Sequence, residues 1–168
     1  MKSEIQSVLD DAVHIIVGDA NGADKAIQAY LSDVNYKTVT VFHVGETSRN
    51  NVGLWDAQQV PAASNLKGRA FYTEKDKVMA LKADYGIVFW DGKSAGSISN
   101  VCELLSLKKT AFVYSEPLKK FIKVTSAKEL TDLLSVCAPN VRDALEKSSI
   151  LKLQLETLKV SKQHSLGF

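Results

Sequence analysis

Val17-Gly18-Asp19-Ala20-Asn21-Gly22-Ala23-Asp24 is a turn of small and polar residues set between two regular elements. Before it, His14-Ile15-Ile16-Val17 is short and apolar and reads as a buried strand. After it, Ala23, Ala26, Ile27 and Tyr30 recur at helical spacing. A glycine-rich passage from strand into helix leaves backbone N–H groups unpaired at the positive end of the helix dipole. That is a ready position for an anion such as phosphate.

Outward from this turn the pattern alternates. The spacing predicts a helix over 3–11, a strand over 13–17 and a helix over 22–33. Lys37-Thr38-Val39-Thr40-Val41-Phe42-His43 follows as a β-branched strand. Residues 45–73 hold Gly45, Gly53, Pro61 and Gly68, show no strong period and read as one long irregular stretch. A helix over 74–83 leads to Gly86-Ile87-Val88-Phe89-Trp90, a continuous apolar strand of the kind covered on both faces. A helix over 97–108 and strands over 110–114 and 121–124 come next. Ser126 with Glu129 forms a capping box for a helix to about Cys137, and Pro139 separates it from a longer helix over about 140–160. Strands alternating with helices imply a mostly parallel sheet with right-handed crossovers. The expected architecture is a Rossmann-like α/β three-layer sandwich over 1–125, with a C-terminal helical extension over 126–168.

Composition sets the outer limits. The 168 residues suffice for one domain with a substantial core. Hydrophobic residues at 45% and charged residues at 24% are ordinary for a globular chain, and a net charge of +2 favours neither a nucleic-acid nor a membrane partner. Cys102 and Cys137 lack CxxC spacing and read as buried thiols of a reducing compartment. The first twenty residues contain no signal-peptide core, and no run reaches membrane-spanning length. The expected location is the cytoplasm.

A second turn, Trp90-Asp91-Gly92-Lys93-Ser94-Ala95-Gly96-Ser97, also joins a strand to a helix. It is not a P-loop, because the position five residues before Gly92 is Ile87, inside the strand, where that motif needs glycine. It reads instead as a loop at the carboxyl end of a strand, with Gly96 and Ser97 opening a helix. In open α/β sheets ligands bind outside those ends. The alternative for both turns is a tight connection whose glycines serve only backbone conformation.

Gly18-Asp19-Ala20-Asn21-Gly22-Ala23-Asp24-Lys25-Ala26 resembles the glycine-alanine-x-glycine-alanine/valine-aspartate turn of the SLOG superfamily, particularly its YspA-type members. Ala83 to Ser97 resembles the second signature of those proteins, a strand ending in phenylalanine-tryptophan-aspartate-glycine-lysine-serine-x-glycine-threonine. The resemblance covers roughly residues 13–115. It implies a Rossmann-like domain that binds nucleotides or nucleotide-derived ligands, as a sensor in some branches and as an enzyme in others. Gly18, Asp19, Gly22 and Asp24 match the first motif, and Asp91, Gly92, Ser94 and Gly96 the second. Ser97 stands where threonine is usual. In the lonely-guy phosphoribohydrolases and the similar nucleoside deoxyribosyltransferases, a carboxylate follows the glycine-threonine pair and acts at the N-glycosidic bond. The corresponding window here is Ile98-Ser99-Asn100, and an amide is neither general base nor nucleophile.

Other groups have two readings each. Arg49-Asn50-Asn51 offers a forked cation, which matches phosphate bidentately, and two amides; alternatively it is a solvated loop. Arg69, Tyr72, Lys75 and Asp76 are either ligand contacts or ordinary charges of a helix first turn. Trp90 and Trp55 are candidate stacking surfaces or core residues. The scattered His14, His43 and His164 point to no metal site. Lys119-Lys120-Phe121-Ile122-Lys123 reads as a solvated strand edge rather than a nucleic-acid surface. The leucines of the last helix pack on the domain or in a homo-oligomer.

Two functional readings follow. In the first, the chain holds a nucleotide-like molecule across both turns and needs no other cofactor. Gly18, Asn21 and Gly22 contact phosphate, Asp24 or Asp91 takes ribose hydroxyls, and Ser94, Gly96 and Ser97 hold a second anionic group. Asp19, Arg49, Asn50, Trp90, Gly92 and Lys93 complete this binding set. In the second, the chain is a nucleotide-processing hydrolase or transferase using Glu103, Asp91 or Asp19 as the acid/base. The absent carboxylate at Ser99–Asn100 favours the first.

Overall fold

Residues 37–44 hold enough β-branched and aromatic side chains to build a strand with both faces buried, and the computed structural model places one there. The structure describes residues 2–136 and Glu156. The chain divides into two compact units, Met1–Ala83 and Asp84–Phe168.

In the first unit Val39–Val44 (β2) is the middle strand of a three-stranded sheet, between Ile15–Gly18 (β1) and Asp56–Val60 (β3). Both pairings are parallel, with Ile15 opposite Val39, Gly18 opposite Phe42, and Val44 opposite Val60. Alternation sends Val17, Val39 and Val41 to one face, against Leu9 of helix Lys2–Asp10 (α1) and Leu31 of helix Ala23–Asp33 (α2). Phe42 and Val44 go to the other face with Val60, packed by Phe71, Val78 and Met79 of helix Gly68–Lys82 (α3). Covering both faces explains the nearly continuous apolar run of β2.

In the second unit Tyr85–Trp90 (β4) pairs in parallel with Thr110–Ser115 (β5), which pairs antiparallel with Lys120–Val124 (β6). Helix Ala95–Ser106 (α4) packs on β4, close enough that a Cβ at Gly86 would lie 2.2 Å from Leu104 Cδ1. Ala111, Val113, Ile98, Val101 and Val124 are fully buried. The exposed ring of Tyr85 pairs with half-buried Phe112, and Phe121 pairs with Tyr114. Helix Ala127–Ser135 (α5) begins at the expected capping box, Ser126 Oγ accepting the Glu129 N–H at 3.3 Å.

The molecule is thus α/β with mostly parallel pairing, the Rossmann-like class that the alternation predicts. One expectation is corrected: residues 45–73 are not one irregular stretch. They contain β3, and α3 starts at Gly68 rather than at 74. Strand Asp56-Ala57-Gln58-Gln59-Val60 has only one strong strand former, and its pairing is dictated by β2 rather than by its own residues. The start of α3 carries no side-chain cap, so nothing local announces it. The expected helix over 140–160 and Cys137 lie outside the described residues. Among the described residues no helix is long and apolar enough to cross a membrane.

Candidate functional site

The β1–α2 turn is held by side chains from distant segments. Asp19 is fully buried, and its carboxylate accepts from Arg49 Nη2 at 2.6 Å, Arg49 Nε at 3.0 Å and the Arg49 backbone N–H at 3.0 Å. Asn50 Nδ2 donates to the Asp19 carbonyl at 2.7 Å and to Asn21 Oδ1 at 3.0 Å. Gln28, also fully buried, donates from Nε2 to the Gly18 carbonyl at 2.7 Å and accepts the Val52 N–H at 2.9 Å. Burial on its own would push the Asp19 carboxyl up. The side-chain bond, backbone N–H and charge of Arg49, with the charge of Lys75, outweigh this and hold it below the usual carboxylate range.

Asp24, in the first turn of α2, accepts the Ala20 N–H at 3.0 Å and lies 3.5 Å from Lys75 Nζ. Lys75 also meets Asp76 at 2.6 Å, and its side chain is 4% exposed. Because α3 starts at Gly68, Lys75 sits inside the helix rather than in a solvated first turn. Burial works against its charge, but the Asp76 and Asp24 carboxylates prevail and raise the amine above its ordinary value. Burial also lifts the Asp76 carboxyl above its usual range despite Lys75 beside it.

Gly18 is where this cluster meets the strand. A Cβ there would lie 2.2 Å from Asp24 Oδ2 and 2.6 Å from Lys75 Nζ, so no larger residue fits without moving the ion pair. Gly18→Ala is expected to cost about 1–3 kcal/mol by chemical denaturation, the range for overpacking a close contact. A loss below about 0.5 kcal/mol would mean that Asp24 and Lys75 step aside freely.

The second turn is built differently. Asp91 Oδ1 accepts the N–H groups of Lys93 at 2.8 Å and Ser94 at 2.7 Å. Burial acts to raise the Asp91 carboxyl, but these backbone donors bring it below its ordinary value. Gly92 has a φ of 80°, and a Cβ there would lie 2.5 Å from Pro117 Cγ. Lys93 and Ser94 are exposed, Gly96 is half-buried, and Ser97 Oγ donates to the Phe89 carbonyl at 3.3 Å. Trp90 is 1% exposed, so its ring lies in the core rather than on an open surface. Its Nε1, the Ser115 Oγ opposite it on β5 and His43 Nδ1 are buried without hydrogen-bond partners among the described residues.

Helices α2 and α4 share one property: neither start has a side-chain cap bond, although the Lys25 N–H of α2 is taken by the Ala20 carbonyl at 3.2 Å and the Ser94 N–H before α4 by Asp91 at 2.7 Å. Chemically, both turns suit anion binding better than proton transfer. Asp19 and Asp91, two of the acid/base candidates, are committed to holding loops and are weak bases. The third, Glu103, is half-buried inside α4. Among the described residues no group of three or more His, Cys, Asp or Glu is placed to hold a metal. A scan against protein-family models and searches of curated proteins and of solved structures return no match.

Of the residues singled out from the sequence, the first unit brings Gly18, Asp19, Asn21, Asp24, Arg49 and Asn50 into one bonded network. Gly22 and Ala23, at the start of α2, are exposed beside it. Sequence reading missed Gln28. The available signal was an amide between Ile27 and Leu31 on the apolar stripe of a helix, where a buried polar group must be satisfied.

Proposed function

We propose that this chain is a cytoplasmic binding protein for a nucleotide or nucleotide derivative, of SLOG type, with the ligand's phosphate at the N-terminus of α2. The observation that carries the reading is the contrast within one turn. Arg49, Asn50 and Gln28 fix its shape, while the helix that follows begins uncapped. Rigid support around open donors is what an anion site requires. The uncapped start of α4 in the second unit is a further anion position on the same reading. Holding is favoured over cutting by the loop-bound carboxylates Asp19 and Asp91 and by the amide at Asn100.

Ala23 gives a clean test because it is exposed and is the first residue of α2. A glutamate there suits the helix dipole, so Ala23→Glu should fold with unchanged or slightly higher stability. The same charge repels a phosphate at short range, and calorimetry should show affinity for adenosine monophosphate and ribose 5-phosphate falling about tenfold or more. If the native chain binds no nucleoside monophosphate, or the variant binds as the native chain does, the reading is wrong.

A further inference from the structure

We infer that Tyr72, stacked with Arg49, is the platform on which the ligand's base lies, so that the site takes a base-bearing nucleotide rather than a sugar phosphate alone. The inference rests on the anion reading of the α2 N-terminus and adds a specificity-determining residue to it.

Arg49 has only part of its guanidinium left to offer a ligand. A guanidinium recognises phosphate through a two-donor edge. In this chain the Nε–Nη2 edge is turned inward onto the buried Asp19 carboxylate, and the backbone N–H of the same residue joins it. One of the two edges through which its sequence context suggests a phosphate contact is therefore occupied from within the protein. That leaves the Nη1 side and the flat face of the group, and the face is engaged: Arg49 Cζ lies 4.0 Å from the centroid of the Tyr72 ring. Two hydrogen bonds fix the guanidinium plane, and an edge-on contact with Phe71 at 5.3 Å steadies the tyrosine. Yet the pair is not buried. Tyr72 is 38% exposed and the Arg49 side chain 32%. A rigid, solvent-facing cation–aromatic stack is a surface for another π system, and every nucleobase presents one.

Its position agrees. Asn50, next in the chain to Arg49, bonds directly to Asn21 in the turn that opens α2. The stack and the proposed phosphate position are thus joined through two consecutive residues of one loop and belong to the same unit.

The test compares two ligands on three proteins by calorimetry. The native chain should bind adenosine monophosphate about fivefold or more tightly than ribose 5-phosphate, the low end for stacking one base. Tyr72→Phe should keep that preference. Tyr72→Leu should abolish it while leaving the affinity for ribose 5-phosphate within about twofold, since the leucine stacks no base but leaves the α2 donors in place. Equal affinity of the native chain for both ligands overturns the inference. So does a Tyr72→Leu variant that weakens both ligands alike, which would make Tyr72 a brace for the Arg49 loop. In either case the anion reading stands. Failure of both ligands to bind the native chain overturns that reading and the inference with it.

Discussion

Replacing Lys75 with methionine is expected to remove about 3–5 kcal/mol of stability at neutral pH, the range for deleting one partner of a buried charge pair. Methionine fills a similar volume, so the loss reports charge rather than a cavity. Without the amine, the Asp76 and Asp24 carboxylates, each about a quarter exposed, lose their shared cation. The dependence on pH has a definite sign. Asp76 already titrates above its ordinary value, so its ionisation costs the fold stability once pH rises above the unfolded value. Without Lys75 that cost grows, and the gap between variant and native protein should narrow as pH falls from 7 toward 4. On the alkaline side the native amine, raised in the fold, contributes stability until pH passes its folded value. Urea unfolding across this range is the measurement. A companion Asp76→Asn change in the Lys75→Met background should restore a large part of the loss, because the two sites share one interaction. A Lys75→Met variant within about 1 kcal/mol of the native chain would show that the buried amine is not what holds this cluster.

Arg49→Ala is expected to cost about 3 kcal/mol, the lower end for a broken buried pair, because Arg49 is a third exposed and water can enter as it leaves. Asp19→Asn should cost less, since a stranded arginine turns to solvent whereas a stranded aspartate has none. In the native protein the Asp19 carboxyl is held low. Its contribution is therefore present above the unfolded value of about 3.9 and is lost as pH falls through the folded value. In Arg49→Ala, burial is opposed only by the backbone N–H at position 49 and the charge of Lys75, so the folded value rises and the carboxylate's contribution shrinks. The variant should close on the native protein as pH drops below about 5. A loss independent of pH would place the effect in loop packing instead.

These two residues also mark what a linear reading makes visible. The β2 run, the apolar strand ending at Trp90 and the Ser126–Glu129 box are local signals, written within a few residues of where they act. The box forms with one shift: Glu129 reaches back to the Thr125 N–H and hydroxyl at 2.6 and 2.8 Å. The two glycine turns were legible for the same reason. The partnership of Asp19 with Arg49 spans 30 positions, and nothing near either residue encodes it. A helix expected to start at 74 makes Lys75 look like a first-turn charge, whereas α3 begins at Gly68 and buries the amine. Strand β3 was invisible because its residues accept a pairing that β2 imposes. Cys102 was legible from its apolar neighbours: burial, aided by the charge of Glu103, pushes its thiol up to about 12, which keeps it protonated and inert.

Gln28 has a consequence for the order in which the first unit assembles. Its amide joins β1, ten positions back, to the Asn50–Val52 segment, 22 to 24 positions ahead. A loop that borrows its partner from a helix has no stable closed form until that helix has docked. The Arg49 segment and the docking of α2 on β1 are therefore expected to close together, so that the entropy of closing the loop is offset only when the helix is in place. The segment that carries the arginine is only as solid as the helix that lends it an amide.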